Sequence, residues 1–377
     1  MNGWELLFRV SENPNGFGSA LGQGRGMLLE VTSDELAYNQ QTREREDRMR
    51  RGRFIDSDAF TVDEAEPGGG LGFVPRSNDI LGFLMAHFQC VRYEAVGTVH
   101  LGFGTGTFTF IPIAEAPDWA GTVWGSSGDG VVATTADIFS INVERIYGQD
   151  LETGQFVQNG LKIENAVVTE LEFSQRLGED LMVTPRMEGK SGDPSAAFGA
   201  AYFPEENAIG GSLGSFSALS MFTDWQGTVQ YSRGGTGTTL EVQEITYTFE
   251  NGQEGRRRLG TKNRVRFPFS GRPSHTGELQ WEFDRTDVLD DMVNKGSVAI
   301  KTRWYEGALN WLEIDQPHCH LLPADAQGAG GDSAVMFTQP FRAFPNSGTP
   351  ASFVRVCTVF ATKVWTFPFG EGTYDPD

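Results

Sequence analysis

Apolar and polar positions alternate with a period of two along most of this chain. Phe139, Ile141 and Val143 fall on one side of a run that reaches Tyr147. The same alternation marks Leu161 to Phe173, Phe222 to Tyr231, Leu240 to Phe249, Val298 to Tyr305 and Ser352 to Trp365. Successive side chains of a strand point to opposite faces, so this period predicts half-buried strands. Met27 to Val31 reads as a short apolar strand, residues 98–113 as strand, glycine turn and strand, and residues 178–189 as a further strand of the same sheet. Two segments break the pattern with helical spacing. Ile80, Leu81, Leu84, Met85 and Phe88 form one apolar helix face, with Ser77 as its N-cap. Leu289, Met292 and Val293 form another, with Thr286 as cap, Asp287 in the first turn, and Lys295 and Gly296 closing it. Gly-punctuated aromatic and β-branched runs with one short helix per half predict an all-β chain.

The order of elements recurs. Asn39-Gln-Gln-Thr-Arg-Glu-Arg-Glu46 and Arg50-Arg-Gly-Arg-Phe54 lead through a Pro/Gly turn to the first helix. Asn251-Gly-Gln-Glu-Gly-Arg-Arg-Arg258 and Lys262-Asn-Arg-Val-Arg-Phe267 lead through a Gly/Pro/Ser turn to the second. From Asn39 to Asn251 is 212 residues, from Phe54 to Phe267 is 213, and from Arg76 to Arg285 is 209. Near-constant spacing predicts a duplicated module. The expected division is an extended arm over 1–26, one module over 27–190, and a second over 195–377 with an insertion near 310–340. The Gly/Pro/Ser-rich stretch at 189–195 is the expected boundary.

Charge narrows the partners. The formal net charge is −20, which excludes general nucleic-acid affinity, since neutralising phosphates requires Lys and Arg. Basic residues are mostly Arg and gather in the two charged loops, at Arg43, Arg45, Arg48, Arg50 and Arg51 and at Arg256, Arg257 and Arg258. Acids are interleaved with them and aromatic platforms are missing. Pairing with acidic surfaces of other copies therefore suits these loops better than binding a polynucleotide. Three cysteines, Cys90, Cys319 and Cys357, make no disulfide framework. With no cationic leader and no apolar run of membrane length, the expectation is a soluble protein made in a reducing cytoplasm.

Candidate chemistry is sparse. Gly210-Gly-Ser212-Leu-Gly214 matches a nucleophile-elbow pattern but lacks the strand before and helix after that would strain and expose the hydroxyl. His318-Cys319-His320 places two imidazoles on one strand face without a third ligand beside them. Asp287, Asp290 and Asp291 lack calcium-loop spacing and read as a solvated helix face. No catalytic residue, metal or cofactor is expected.

The pattern resembles the tail tube proteins of long-tailed phages and related archaeal viruses. The resembling stretches are Gly26-Met-Leu-Leu-Glu30 with the charged loop, the helix ending Leu81-Gly-Phe-Leu84, and Asn159 to Asn165 leading into Leu171-Glu-Phe173. Gly178 to Val183 continues them, and the second half adds Phe249 to Gln253, Gly277 to Phe283 and the Asp287–Gly296 helix. The resemblance implies a β-sandwich or half-barrel with one flanking helix, whose inner sheets close into a channel-lining barrel in stacked rings. Tube rings of this kind hold six domains, so two modules per chain imply a homotrimer with pseudo-sixfold symmetry. The implied partners are other copies of the chain, the tape-measure, terminator and distal-tail proteins, and genomic DNA in transit without specific binding. No membrane is involved, and the implied location is the virion tail, assembled in the host cytoplasm. Strand alternation offers Asp56, Asp58 and Glu241 as lumen-lining acids. Two rival readings are a distal-tail or tail-completion ring, and a β-rich carbohydrate-binding protein or hydrolase with Trp119, Trp124, Trp225 and Trp304 along a sugar groove.

Overall fold

In the computed structural model, the residues described are 4–12, 26–44, 60–95, 105–112, 115, 131–132, 139–150, 159–197, 220–223, 227–233, 236–258, 261, 263–268, 270–282, 288, 291, 296–323, 325–327 and 336–359. The first half contributes β1 (Trp4–Glu12), β2 (Gly26–Leu29), β3 (Val31–Asp34), β4 (Ala37–Glu44), β5 (Phe60–Phe73), α1 (Leu81–Phe88), β6 (Cys90–Ala95), β7 (Thr105–Phe110), β8 (Val131–Val132), β9 (Ile141–Asp150), β10 (Asn159–Arg176), β11 (Met182–Glu188) and β12 (Ser191–Ala197). The second half contributes β13 (Gly227–Arg233), β14 (Thr236–Leu240), β15 (Val242–Glu250), β16 (Ser274–Glu282), β17 (Ser297–Gly307), β18 (Asn310–Leu321), β19 (Asp325–Gln327), β20 (Met336–Ala343) and β21 (Phe353–Val359). The all-β expectation holds.

Every pairing among the described strands is antiparallel. One sheet runs β2–β1–β9–β10–β12. A larger sheet starts at β3 and β4, which both pair with β5, and continues β5–β11–β10–β15–β16–β20–β18. At β18 it branches into β17–β13–β14 and into β21–β7–β6–β8. β10 belongs to both sheets. Its N-terminal half pairs with β9 and β12, and its C-terminal half with β11 and β15. Asn165, at φ 51°, lies where it passes between them. Among the described strands these pairings close no circuit, so the single chain is an open, branched sheet. Trp4–Glu12, expected as part of an extended arm, is held on one edge by β2 and on the other by β9.

The partners recur between halves. β1 pairs with β2 and β9 as β13 does with β14 and β17, and β9–β10 corresponds to β17–β18. The C-terminal part of β10 joins β11 and then β5, as that of β18 joins β20 and then β16. The N-terminal part of β10 takes β12 as that of β18 takes β21. Even the bulges match. The register slips between Val31 and Ser33 opposite β5, and between Val242 and Glu244 opposite β16, 211 residues later. Leu71 and Phe73 correspond in the same register to Leu279 and Trp281, 208 residues later. The β6–β8 segment has no such counterpart among the described strands.

Burial follows the alternation. In β15, Ile245, Tyr247 and Phe249 point inward, while Glu244, Thr246, Thr248 and Glu250 do not. Burying side chains of this size stabilises by about 1.5–3 kcal/mol each. They join one core that runs through both halves, with Leu71, Phe73, Phe173, Trp281, Trp304 and Phe341. The helix departs from expectation in two ways. All eight residues of α1 are buried, not one face alone, because β6, β7, β9 and β10 all pack against it. Ile80 occupies the N-cap without a side-chain bond, and Ser77 instead donates to Thr358 Oγ1 at 2.9 Å. In the second half, Val288 and Asp291 are helical. Asp291 is buried, accepts from Tyr231 Oη at 2.5 Å and pairs with Arg233 Nε at 2.9 Å, so it belongs to no solvated face.

Candidate functional surface

The outward face of the larger sheet is the chemically distinctive surface. Register brings together side chains from five neighbouring strands and both halves. Glu170 lies opposite Arg186 on one side and Glu250 on the other. Glu172 lies opposite Thr248, and Arg176 opposite Glu244. Glu244 and Thr246 face Gln280 and Glu278 on β16, which ends in Glu282. Across β11, Arg186 and Glu188 lie opposite Gly70 and Gly68, and Glu66 and Glu35 continue the face. Among the described residues it carries nine carboxylates, at Glu35, Glu66, Glu170, Glu172, Glu188, Glu244, Glu250, Glu278 and Glu282, against Arg176, Arg186 and Arg342 on the strands and Arg257 and Arg264, which reach Glu66 and Glu188 from a loop. The opposite face of the same strands is core.

Such a face holds anions at a distance. Like charges set directly opposite, as at Glu170 and Glu250, destabilise a sheet by a few tenths of a kcal/mol. Arg186 Nε, 3.8 Å from Glu170, offsets part of this at an exposed site. Small uncharged residues, Gly68, Gly70, Thr184 and Thr248, separate the acids. Nothing on this face is arranged as a nucleophile with a base.

One charged loop lies across the end of this sheet. Asn251 anchors it: its Nδ2 donates to Val168 O at 2.7 Å and His87 O at 3.1 Å, and its Oδ1 accepts from Gln253 N at 2.8 Å. Gly252 follows at φ 69°, where a Cβ would lie 2.6 Å from Gly271 O. Arg257 Nη2 reaches Glu66 Oε1 at 2.9 Å. Arg264 donates to Pro67 O at 3.3 Å and Gly189 O at 3.2 Å, with Glu188 3.5 Å from its Nε. This second-half loop is thus docked onto first-half strands of its own chain. Arg257 spends its charge there, while Arg256 and Arg258 are exposed. Arg43 lies at the end of β4, and Arg45, Arg48, Arg50, Arg51, Asp56 and Asp58 lie outside the described residues. Glu241 is exposed at the corner between β14 and β15.

Beneath the loop sit two buried histidines. His87 Nδ1 lies 3.0 Å from Val168 O, and His275 Nδ1 2.8 Å from Ser352 Oγ. The ring of Phe249 is 5.1 Å from His275 and 6.5 Å from His87. Burial pushes both imidazoles down to about 3, His275 further disfavoured by the charge of His87, so both are neutral packing groups. Near α1, burial lifts Asp79 to about 7 against the pull of Arg76.

Other sequence candidates dissolve. His320 stacks on Phe344 at 4.2 Å and His318 lies 6.0 Å from the same ring. No cluster of three or more metal-ligating side chains occurs among the described residues. Trp304 is fully buried and donates to Gln175 Oε1 at 2.7 Å, so it lines no sugar groove. Ser212, Trp119, Trp124 and Trp225 lie outside the described residues. The acids at 170, 172, 244, 278 and 282 escaped the sequence reading, although the signal was present: Glu-Leu-Glu-Phe and Glu-Leu-Gln-Trp-Glu alternate acid with core.

A family model described as phage tail tube protein matches residues 30–343. No curated protein matches the chain.

Proposed function

Since this chain belongs to the phage tail tube protein family, whose role is structural and in the virion tail, we propose that it is the major tail tube protein of a long-tailed virus and polymerises as stacked rings around a DNA conduit. Three chains build each ring, every chain supplying two modules. The recurrent pairing order, the matched bulges and the 208- and 211-residue spacings support a duplication. The acidic outward face turns to the bore. It repels phosphate, so DNA slides without being trapped. Assembly takes place in the host cytoplasm, and tape-measure, terminator and distal-tail proteins meet the ends of the tube.

The observation that carries this reading is the acid-faced sheet running without interruption from first-half into second-half strands. Closing it with other copies removes the exposed edges of a lone sheet. Negative-stain microscopy of the purified chain tests it. Long tubes with three-fold rings are expected. Isolated single rings would favour a distal-tail or completion protein, and a persistent monomer would defeat both.

A further inference from the structure

We propose that one copy of this chain joins the next by an antiparallel strand pair between the outer edge of β3–β4 and the outer edge of β19, with Ala37 opposite Asp325, Leu36 opposite Ala326 and Glu35 opposite Gln327. The proposal rests on the two-module reading and adds to it the edges and the register of the contact.

The chain contains its own template. Its halves are joined at two strand pairs, six positions between β7 and β21 and seven consecutive positions between β10 and β15, from Glu170–Glu250 to Arg176–Glu244, and the second is the template. Trp304 spans the same seam to Gln175. Each strand of the seam has a counterpart. β15 corresponds to β3–β4 at a spacing of 211, fixed by the shared bulge and by the partners on β5 and β16. The C-terminal half of β10 corresponds to the end of β18 with β19 at a spacing of 153. Val168 opposite Met187 becomes Leu321 opposite Phe341, and Phe173 opposite Val183 becomes Ala326 opposite Phe337.

Of those counterparts, β3, β4 and β19 are each left with one partner among the described residues, as β2, β8, β12 and β14 also are. Among the described residues, β3 and β4 pair only with β5, and β19 only with β20. They lie at opposite ends of the sheet and cannot satisfy each other within one chain. A second copy supplies the missing partner, and repetition in the same direction closes a ring. Carrying the internal register across, Glu172–Thr248 becomes Asp325–Ala37 and Phe173–Tyr247 becomes Ala326–Leu36.

The single copy guards this edge. Leu36 N donates to Asp34 Oδ1 at 2.9 Å, Arg145 Nη1 lies 3.4 Å from Leu36 O, and Arg145 and Asp34 pair at 2.7 Å. At the internal seam, the position of Asp34 is held by Ile245, which offers no such cap, and there the strand is paired. Inter-copy pairing exchanges the two side-chain contacts of Leu36 for backbone ones. A charged plug on an edge strand prevents promiscuous pairing.

Two measurements on the full chain test this. The double variant Ala37→Cys with Asp325→Cys is oxidised after assembly, Cys90, Cys319 and Cys357 being buried. Opposed strand positions fall within disulfide reach, so bridged dimers and a closed trimer are expected on non-reducing gels, with neither single variant giving them. In the unaltered chain, amide exchange at 34–38 and 325–327 is expected to slow at least tenfold on assembly. Rings or tubes that form without the bridge and without this protection overturn the contact while leaving the tube reading intact. A chain that never assembles overturns both.

Discussion

Acid should loosen this protein, and the two buried histidines set how steeply. In the unfolded chain His87 and His275 take up protons near pH 6.5, but in the fold they resist until about 3. Between those values only the unfolded state binds the protons, so stability present above pH 6.5 is lost as pH falls. The slope is about 1.4 kcal/mol per pH unit for each histidine, about 2.7 for the pair. Asp79 opposes it. Its folded value near 7 lies above its ordinary 3.8, so the native state keeps a proton that the unfolded state has released. Its contribution therefore grows as pH falls from 7, by about 1.4 kcal/mol per unit. The net expectation is a loss of about 1.5 kcal/mol between pH 6.5 and 5.0 for the native chain, since each unfolded histidine is already half protonated at 6.5. For Asp79→Asn, which removes the opposing titration, it is about 3 kcal/mol over the same interval. Urea unfolding of the unassembled chain at several pH values, followed by tryptophan fluorescence, measures both. A flat native profile, or a variant no steeper than the native chain, would refute the account of these buried groups.

Asn251→Ala leaves Val168 O and His87 O without the amide donor that ties the loop down and should cost about 1–3 kcal/mol in urea, with faster proteolysis of residues 251–271. Gly277→Ala places a Cβ 2.2 Å from Phe341 Cζ and 2.6 Å from Thr246 O. The backbone atom cannot yield, so a lower melting temperature and a loss of about 1–3 kcal/mol are expected. Reversing Glu172, Glu244 and Glu278 to Lys changes the acidic face by six charges per chain without touching the core. Tubes should still form and should now retain DNA at low salt, released as salt rises; tubes that remain inert to DNA would place this face away from the bore.

What could be read from the sequence and what could not divide along a physical line. Period-two patterning reports which face of a strand is buried, so the strands and the core were legible. It does not report partners. Nothing in Glu170-Leu-Glu-Phe173 says that it lies beside Thr246-Tyr-Thr-Phe-Glu250, so the acidic face, which exists only once those strands are in register, stayed hidden. Caps and charges misled for the same reason. Ser77 satisfied a local rule, yet a hydroxyl 281 positions away claimed it, and Asp291 looked solvated until Tyr231 and Arg233 closed over it. Arg257 illustrates the converse. A guanidinium suits a carboxylate, but its type names no partner, and the one it finds, Glu66, lies 191 residues away in the same chain. If the two modules are related as their pairings imply, that internal docking also specifies a role for the first-half loop. The surface corresponding to Glu66 and Glu188 is Ser274 and Arg342, so the acceptor in the second module is neutral to basic where the first is acidic. The first-half loop carries Glu44, Glu46 and Asp47 among its arginines, and against Arg342 those acids, not Arg43 or Arg45, are the expected contacts. Arg342→Glu should then weaken association between copies while leaving the unfolding midpoint of the single chain unchanged; equal association by light scattering would show that the two loops dock by different rules.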